Sequence, residues 1–282
     1  MIDVRPVQTH DEYRAVEQLQ RLTWGHGDLD VVPDHLLITI QKNDGLVLGA
    51  FDVSSCDGEE QLVGFALGFL GRTPDGRLKH CSHMVGVAPG EQNRNVGYRL
   101  KLAQREHVLA RGIDLITWTF DPLESRNARL NFHKLGATCN TYLREVYGQM
   151  RDVLNVGLPS DRFQVDWHIA SAHVAGRLRG DWAAPSLMAL HAEGVPIVNR
   201  ALPGDPPRPP RTVLPLQGER LLVQIPSQFQ VLKSADFGLA CAWREHTRVL
   251  FEGAFGAGYT VVDLIFEEGE GYYLLEYEDR IC

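Results

Sequence analysis

A chain of 282 residues with 44% hydrophobic and 23% charged residues has the composition of a folded domain with ample core. Its net charge of −8, with no basic cluster longer than Arg177-Leu178-Arg179, argues against nucleic acid as a partner. No apolar run reaches membrane-spanning length, Met1-Ile2-Asp3-Val4-Arg5-Pro6 lacks a signal core, and the five cysteines (Cys56, Cys81, Cys139, Cys241, Cys282) are scattered without metal-ligand spacing, so a cytoplasmic protein with reduced thiols, no metal and no membrane contact is expected.

The first half alternates strands and helices. Residues 2–7 read as a strand and 11–24 as a helix with Asp11 at its N-cap. A shorter helix, 33–42, is entered through Pro33. Strands follow at 46–53 and 61–71, flanking a turn at Cys56-Asp57-Gly58-Glu59. Pro74-Asp75-Gly76 marks a turn before the strand 78–87. From Gly97, the apolar positions Leu100, Leu102, Ala103, Val108 and Ala110 set a long helix closed by Gly112. Residues 114–120 form a compact apolar strand, 126–134 a helix ended by Gly136, 138–147 a strand, and 163–170 one strand more.

After residue 170 the texture changes. Residues 171–199 are mixed, and 202–215 hold six prolines, which predicts an extended connector. The remainder reads as a strand 220–225, a helix 235–255, and a hairpin of 260–266 with 272–277 around Gly269-Glu270-Gly271. Three regions follow: a mixed α/β domain over 1–170, an irregular, proline-rich connector over 171–215, and a small strand-helix-hairpin extension over 216–282. The hairpin as an exposed edge would suit pairing with a second copy as a homodimer.

The most informative stretch runs from Met84 to Tyr98. A short apolar strand breaks at Ala88-Pro89-Gly90, crosses a polar loop and opens at Gly97-Tyr98 into the long helix. Such a join points backbone N–H groups and the positive end of a helix dipole at one spot, an arrangement suited to phosphate. No Walker loop is present, because no Gly-Lys is followed by Ser or Thr. A dinucleotide loop would follow the first strand, whereas this one follows the fourth.

Val87-Ala88-Pro89, then Gln92-x-x-Asn95-x-Gly97 before the helix Tyr98-Arg99-Leu100-Lys101-Leu102-Ala103, resembles the pyrophosphate loop of the GNAT superfamily of acyl-CoA-dependent N-acyltransferases. Asn95 replaces the usual first glycine, and Asn is the non-glycine residue most tolerant of left-handed backbone. Asn127-Ala128-Arg129-Leu130, ending at Leu135-Gly136-Ala137, is similar to the family's second signature, with Leu130 and Ala137 as departures. The order strand, two helices, three strands, loop, helix, strand, helix, strand also matches. The resemblance covers about residues 1–170. Ser82-His83-Met84 and Trp118-Thr119-Phe120-Asp121-Pro122-Leu123 resemble a bacterial branch with a C-terminal extension, where a setting beside N-acylamino-acid racemases makes succinyl-CoA a donor to set beside acetyl-CoA.

The resemblance implies a GNAT-like, mostly antiparallel central sheet flanked by helices. It places the acyl-CoA at the strand backbone of Val85 and Val87, the loop residues Gln92, Asn93, Arg94, Asn95, Val96, Gly97 and Tyr98, and Asn127 and Phe132. An oxyanion donor is expected from backbone N–H near the end of strand 84–87, where the family's fourth strand splays from its fifth. Phe132 stands where the family's acidic tyrosine is usual and cannot donate a proton; Tyr142 is the candidate substitute. His83 and Asp121, with Glu124 behind them, are the candidate bases for the amine. His133 is expected at the surface. Three functions suit this set: transfer to the amine of a small molecule such as an amino acid, non-catalytic acyl-CoA binding, or acylation of a protein amine.

Overall fold

The computed structural model describes residues 1–25, 30–54, 60–150, 152, 155–267 and 269–277; the turn expected at Cys56-Asp57-Gly58-Glu59 and Cys282 lie outside them. The chain folds as two compact units. The first comprises Met1–Trp118, Met150–Val156 and His168–Ala170, the second Thr119–Gln149, Gly157–Trp167 and Ser171–Cys282. The units thus divide inside one strand, at Trp118, while the change in sequence texture falls at residue 170.

In the first unit, β1 (Ile2–Pro6), β2 (Leu46–Asp52), β3 (Gln61–Arg72) and β4 (Leu78–Val87) are successive antiparallel neighbours, and β5 (Leu115–Phe120) joins β4 in parallel. Alternating side chains on these strands serve two layers. Val47, Phe65 and Leu67 meet Tyr13, Val16 and Leu19 of α1 (His10–Trp24) and Leu37 of α2 (Asp34–Lys42). On the opposite face, Leu46, Leu48 and Ala66 meet Val96 and Leu100 of α3 (Val96–Leu109).

Helix α1 starts earlier than Asp11. Thr9 is its N-cap, accepting from the Glu12 amide at 3.3 Å, while the Glu12 carboxylate accepts from the Thr9 amide at 3.1 Å. This reciprocal box satisfies two amides that a cap at Asp11 would leave open. Thr9→Ala is expected to lower stability by about 1 kcal/mol, seen as a lower urea midpoint with unchanged slope.

In the second unit the strands run in the order β7 (Arg162–His168, up to Trp167 in this unit), β6 (Thr138–Leu143), β9 (Tyr259–Glu267), β10 (Glu270–Tyr277) and β8 (Arg220–Ile225), with antiparallel neighbours throughout. The β9–β10 hairpin is therefore not an exposed edge. Its strands are flanked by β6 and β8, which removes the expected surface for pairing with a second copy. An aromatic cluster fills one part of the core: Phe163 lies 4.7 Å from Phe251 and 5.5 Å from Tyr273 between ring centres, and Phe132 lies 5.7 Å from Tyr273. A second cluster joins Leu190, Ile197, Leu222, Ile265 and Leu274.

Residues 171–199 hold two short helices, α5 (Ala172–Arg179) and α6 (Leu187–Ala192), each capped by a serine, Ser171 or Ser186. The proline-rich stretch is not a simple extended connector, because Leu202 and Arg208 exchange backbone hydrogen bonds of 2.8 and 3.2 Å across a local reversal. The helix expected over 235–255 is α8 (Phe237–Gly256), and a further helix, α7 (Phe229–Ala235), precedes it. Asp236 separates them with an extended backbone and caps α8, accepting from the Leu239 amide at 2.9 Å.

Candidate functional site

Strand β4 sets the geometry in the first unit. Gly68 of β3 faces Ser82, but the preceding Leu67 faces Met84, so His83 is an extra, bulged residue. A bulge bends its strand and ends regular pairing. Pairing with β5 indeed ends there: His80 faces Ile116, Cys81 faces Thr117, and no later residue of β4 pairs with β5. The two parallel strands therefore part at the bulge, leaving the β5-facing backbone edge of residues 82–87 outside that ladder.

The loop beyond β4 turns through three left-handed residues, Gly90 (φ 89°), Asn93 (φ 74°) and Asn95 (φ 59°). Asn95 is the N-cap of α3 in the αL conformation, so asparagine fills the place where glycine is usual by adopting the backbone that glycine would. The Asn95 side chain makes no capping hydrogen bond to this helix, and its first turn holds no acidic residue, unlike α1 with Asp11 and Glu12. The positive end of a 14-residue helix is thus presented at the end of the parted strand pair. Arg94 is held by Asp52 (2.6 Å) and Glu91 with its side chain 41% exposed. Exposed ion pairs are weak, and these can be exchanged for phosphate.

Element order, parted β4 and β5, and a left-handed loop into α3 are the features that the sequence resemblance implies. The protein has a GNAT-like fold. No family model matches the chain, and no curated protein sequence matches it. Solved structures similar to it include the ribosomal-protein-S18-alanine N-acetyltransferase from Escherichia coli, 14% identical with a TM-score of 0.45, covering 61% of this chain and 96% of that one. An N-acetyltransferase from Staphylococcus aureus Mu50 is 13% identical (TM-score 0.47; 60% and 99% covered), and Arabidopsis thaliana NAA60 in complex with a bisubstrate analogue is 17% identical (TM-score 0.46; 59% and 98% covered).

Of the expected site residues on β4, His83 is exposed at the bulge, its ring 5.9 Å from Phe69. Desolvation by its surroundings holds its pKa below the ordinary histidine value, which favours the neutral base. Val85 and Val87 turn their side chains to the α3 core, leaving their backbone as the part able to meet a ligand. Behind the same strand lies a polar group that sequence reasoning missed. Lys101 of α3 is 3% exposed, donates to Ser82 Oγ at 2.8 Å and Gln104 Oε1 at 3.3 Å, and sits 3.7 Å from the centre of the Trp118 ring. Gln104 in turn meets His80 at 3.1 Å.

In the second unit, the remaining candidates gather around a residue that sequence reasoning also missed, Arg244 of α8. Its Nη2 donates to Asp121 Oδ2. Asp121 Oδ1 accepts from the Leu123 amide at 2.9 Å, so this carboxylate is committed to an ion pair and a turn. Glu124 accepts from Gln230 Nε2 at 2.5 Å, and burial raises its pKa. Tyr142 donates to Asp161 at 2.7 Å, and burial raises its pKa. One signal pointed to Arg244: it lies on the buried stripe of α8 with Ala240, Thr247 and Phe251, at helical spacing, where an arginine needs a reason.

Asn127 is exposed on α4 (Ser125–Ala128). Phe132 is different. It lies in the π-helical turn Arg129–Lys134 and is fully buried among Phe120 and Tyr273, so it offers no surface to a cofactor. The wider turn also draws His133 from the expected surface to within 3.2 Å of the buried Asp263, whose other oxygen accepts from Arg177 at 2.9 Å. Among the described residues no cluster of three or more His, Cys, Asp or Glu side chains could hold a metal, and no helix is long and apolar enough to cross a membrane.

Proposed function

We propose that this chain is an acyl-CoA-dependent N-acyltransferase that moves an acetyl or succinyl group to the amine of a small molecule by direct attack in a ternary complex. One observation carries the reading: β4 and β5 part at the His83 bulge, and the loop at the end of β4 turns through the left-handed Asn93 and Asn95 into the head of α3. A parted strand pair leaves β4 backbone free to pair with the pantetheine amides, while amides at the head of α3 and Arg94 suit the pyrophosphate. The thioester supplies the activated acyl group. The β4 backbone beyond the bulge supplies an N–H for the developing oxyanion.

His83 is the base this reading favours. It is the candidate on β4 itself, it is exposed, and its lowered pKa keeps it neutral and able to take the amine proton near pH 7. Asp121 and Tyr142 are engaged by Arg244 and Asp161 and are not assigned proton transfer. The leaving thiolate, with a pKa near about 8.5 by analogy with cysteine, needs a proton less urgently, so a buried Phe132 at the family's acid position is compatible with turnover. The competing reading, acyl-CoA binding without catalysis, draws on that same Phe132.

Thiol release from acetyl-CoA and succinyl-CoA over a panel of small amines separates the two. Turnover that falls by about 100-fold in His83→Ala, the scale of a lost general base, with CoA affinity retained, is expected. Tight CoA binding without turnover of any amine would establish the binding reading instead.

A further inference from the structure

Ser82 and Lys101, both in the first unit, stand at a place that the proposed transfer leaves unused. The last pair of the β4–β5 ladder is Cys81 with Thr117, so Ser82 and Trp118 are the first residues past it on their strands. Lys101 Nζ lies 2.8 Å from Ser82 Oγ and 3.7 Å from the centre of the Trp118 ring, at the point where the two strands part. Ser82 is 4% exposed and Lys101 3%, and among the described residues no carboxylate pairs with the amine. A buried ammonium without a counter-charge is costly, and burial lowers the pKa of Lys101 to about 7. The contacts suit the neutral amine, which has two N–H bonds and one lone pair. Gln104 Oε1 at 3.3 Å and the Trp118 face take the two N–H bonds, and the lone pair accepts the Ser82 hydroxyl. Gln104 Nε2 meets His80 Nε2 at 3.1 Å, which leaves its oxygen for Lys101.

A serine hydroxyl hydrogen-bonded to a neutral lysine is a nucleophile with its base. We infer that Ser82 and Lys101 form such a pair and that, when no amine is bound, Ser82 takes the acyl group from acyl-CoA and passes it to water, a thioester hydrolysis additional to amine transfer. The inference rests on the acyl-CoA site of the reading above and not on the amine. Lys101 accepts the hydroxyl proton as Ser82 Oγ attacks the thioester carbonyl. The C–S bond breaks, and the proton leaves on the CoA thiolate. Water then attacks the ester on Ser82, giving its proton to Lys101, which returns it to the Ser82 oxygen as the carboxylic acid departs. The backbone N–H beyond the bulge serves the oxyanion of both steps.

The test incubates the chain with acetyl-CoA in the absence of amine, follows thiol release and maps the acid-quenched chain by peptide mass spectrometry. Thiol release with an acetyl ester on Ser82, removed by hydroxylamine, is the expected result. In Ser82→Ala the ester and the release should be lost, and in Lys101→Met release should slow by at least about 100-fold, as for a lost general base, with acetyl-CoA affinity by calorimetry retained. Release that survives Ser82→Ala, an acetyl group on Lys101 or Cys81 instead, no ester on Ser82, or no release from bound acetyl-CoA would overturn it. Should Ser82→Ala fail to fold, the mapped ester and Lys101→Met still decide. Acylation of an amine with no ester at Ser82 would remove the pair and leave the acyltransferase standing. An ester on Ser82 with no amine acylated would do the reverse, and a chain that binds no acetyl-CoA would overturn both.

Discussion

Gly97→Val is expected to weaken CoA binding by about 100-fold or more while the chain keeps its fold. Gly97 is the second residue of α3, where amides reach a phosphate only if no side chain stands between them. Losing one or two charge-assisted bonds removes about 3 kcal/mol, which is about two orders of magnitude in affinity. Valine in a helix costs less than about 1 kcal/mol, so the variant should still unfold cooperatively. Asn95→Gly is the matched control. At φ 59° the asparagine already holds the backbone that glycine prefers, so this change should leave CoA affinity within about threefold. Calorimetric titration of CoA into both variants checks the pair, and intact affinity in Gly97→Val would refute the assignment of the loop.

Local signals account for what was legible without the structure. The strand, the breaker Ala88-Pro89-Gly90, the asparagine at Asn95 and the apolar positions of α3 are neighbours in sequence, and each constrains the next. The left-handed Asn95 agrees with the tolerance of asparagine for that backbone and with its place where the loop enters α3. What escaped depends on distant partners. Arg244 meets Asp121 across 123 positions, and nothing near either residue announces the other. Lys101 reads as one more surface residue in a mixed helix until β4 and Trp118 close over it. The hairpin was recognisable from its Gly269-Glu270-Gly271 turn, but its place inside the sheet is decided by β6 and β8. Helix α7 was not expected at all, because it is a short helix of seven residues with no side-chain cap at its start.

The stability of the folded chain should rise with pH above neutrality, and Lys101 is the group responsible. Among the described residues the partners of its ammonium are the neutral Ser82 and Gln104, with the Trp118 face against it and no carboxylate to offset the loss of water. Burial lowers its pKa from 10.5 to about 7. Between those values the unfolded chain binds a proton that the folded chain has released, so unfolding becomes harder as pH increases. From pH 7 to pH 9 the gain from this one group is about 2 kcal/mol. Lys101→Met keeps the stem in its apolar setting and removes the titration. Urea unfolding of the two chains across that range should therefore show a rising curve for wild type and a flatter one for the variant, with the variant the more stable at pH 7. His80, which reaches Lys101 through Gln104, does not confuse the comparison. Its pKa is lowered to about 3, mainly by burial, and above pH 7 it is neutral in the folded chain and nearly so in the unfolded one. Parallel curves would mean that Lys101 keeps its proton in the folded state, held by Ser82 and the Trp118 ring strongly enough to outweigh desolvation.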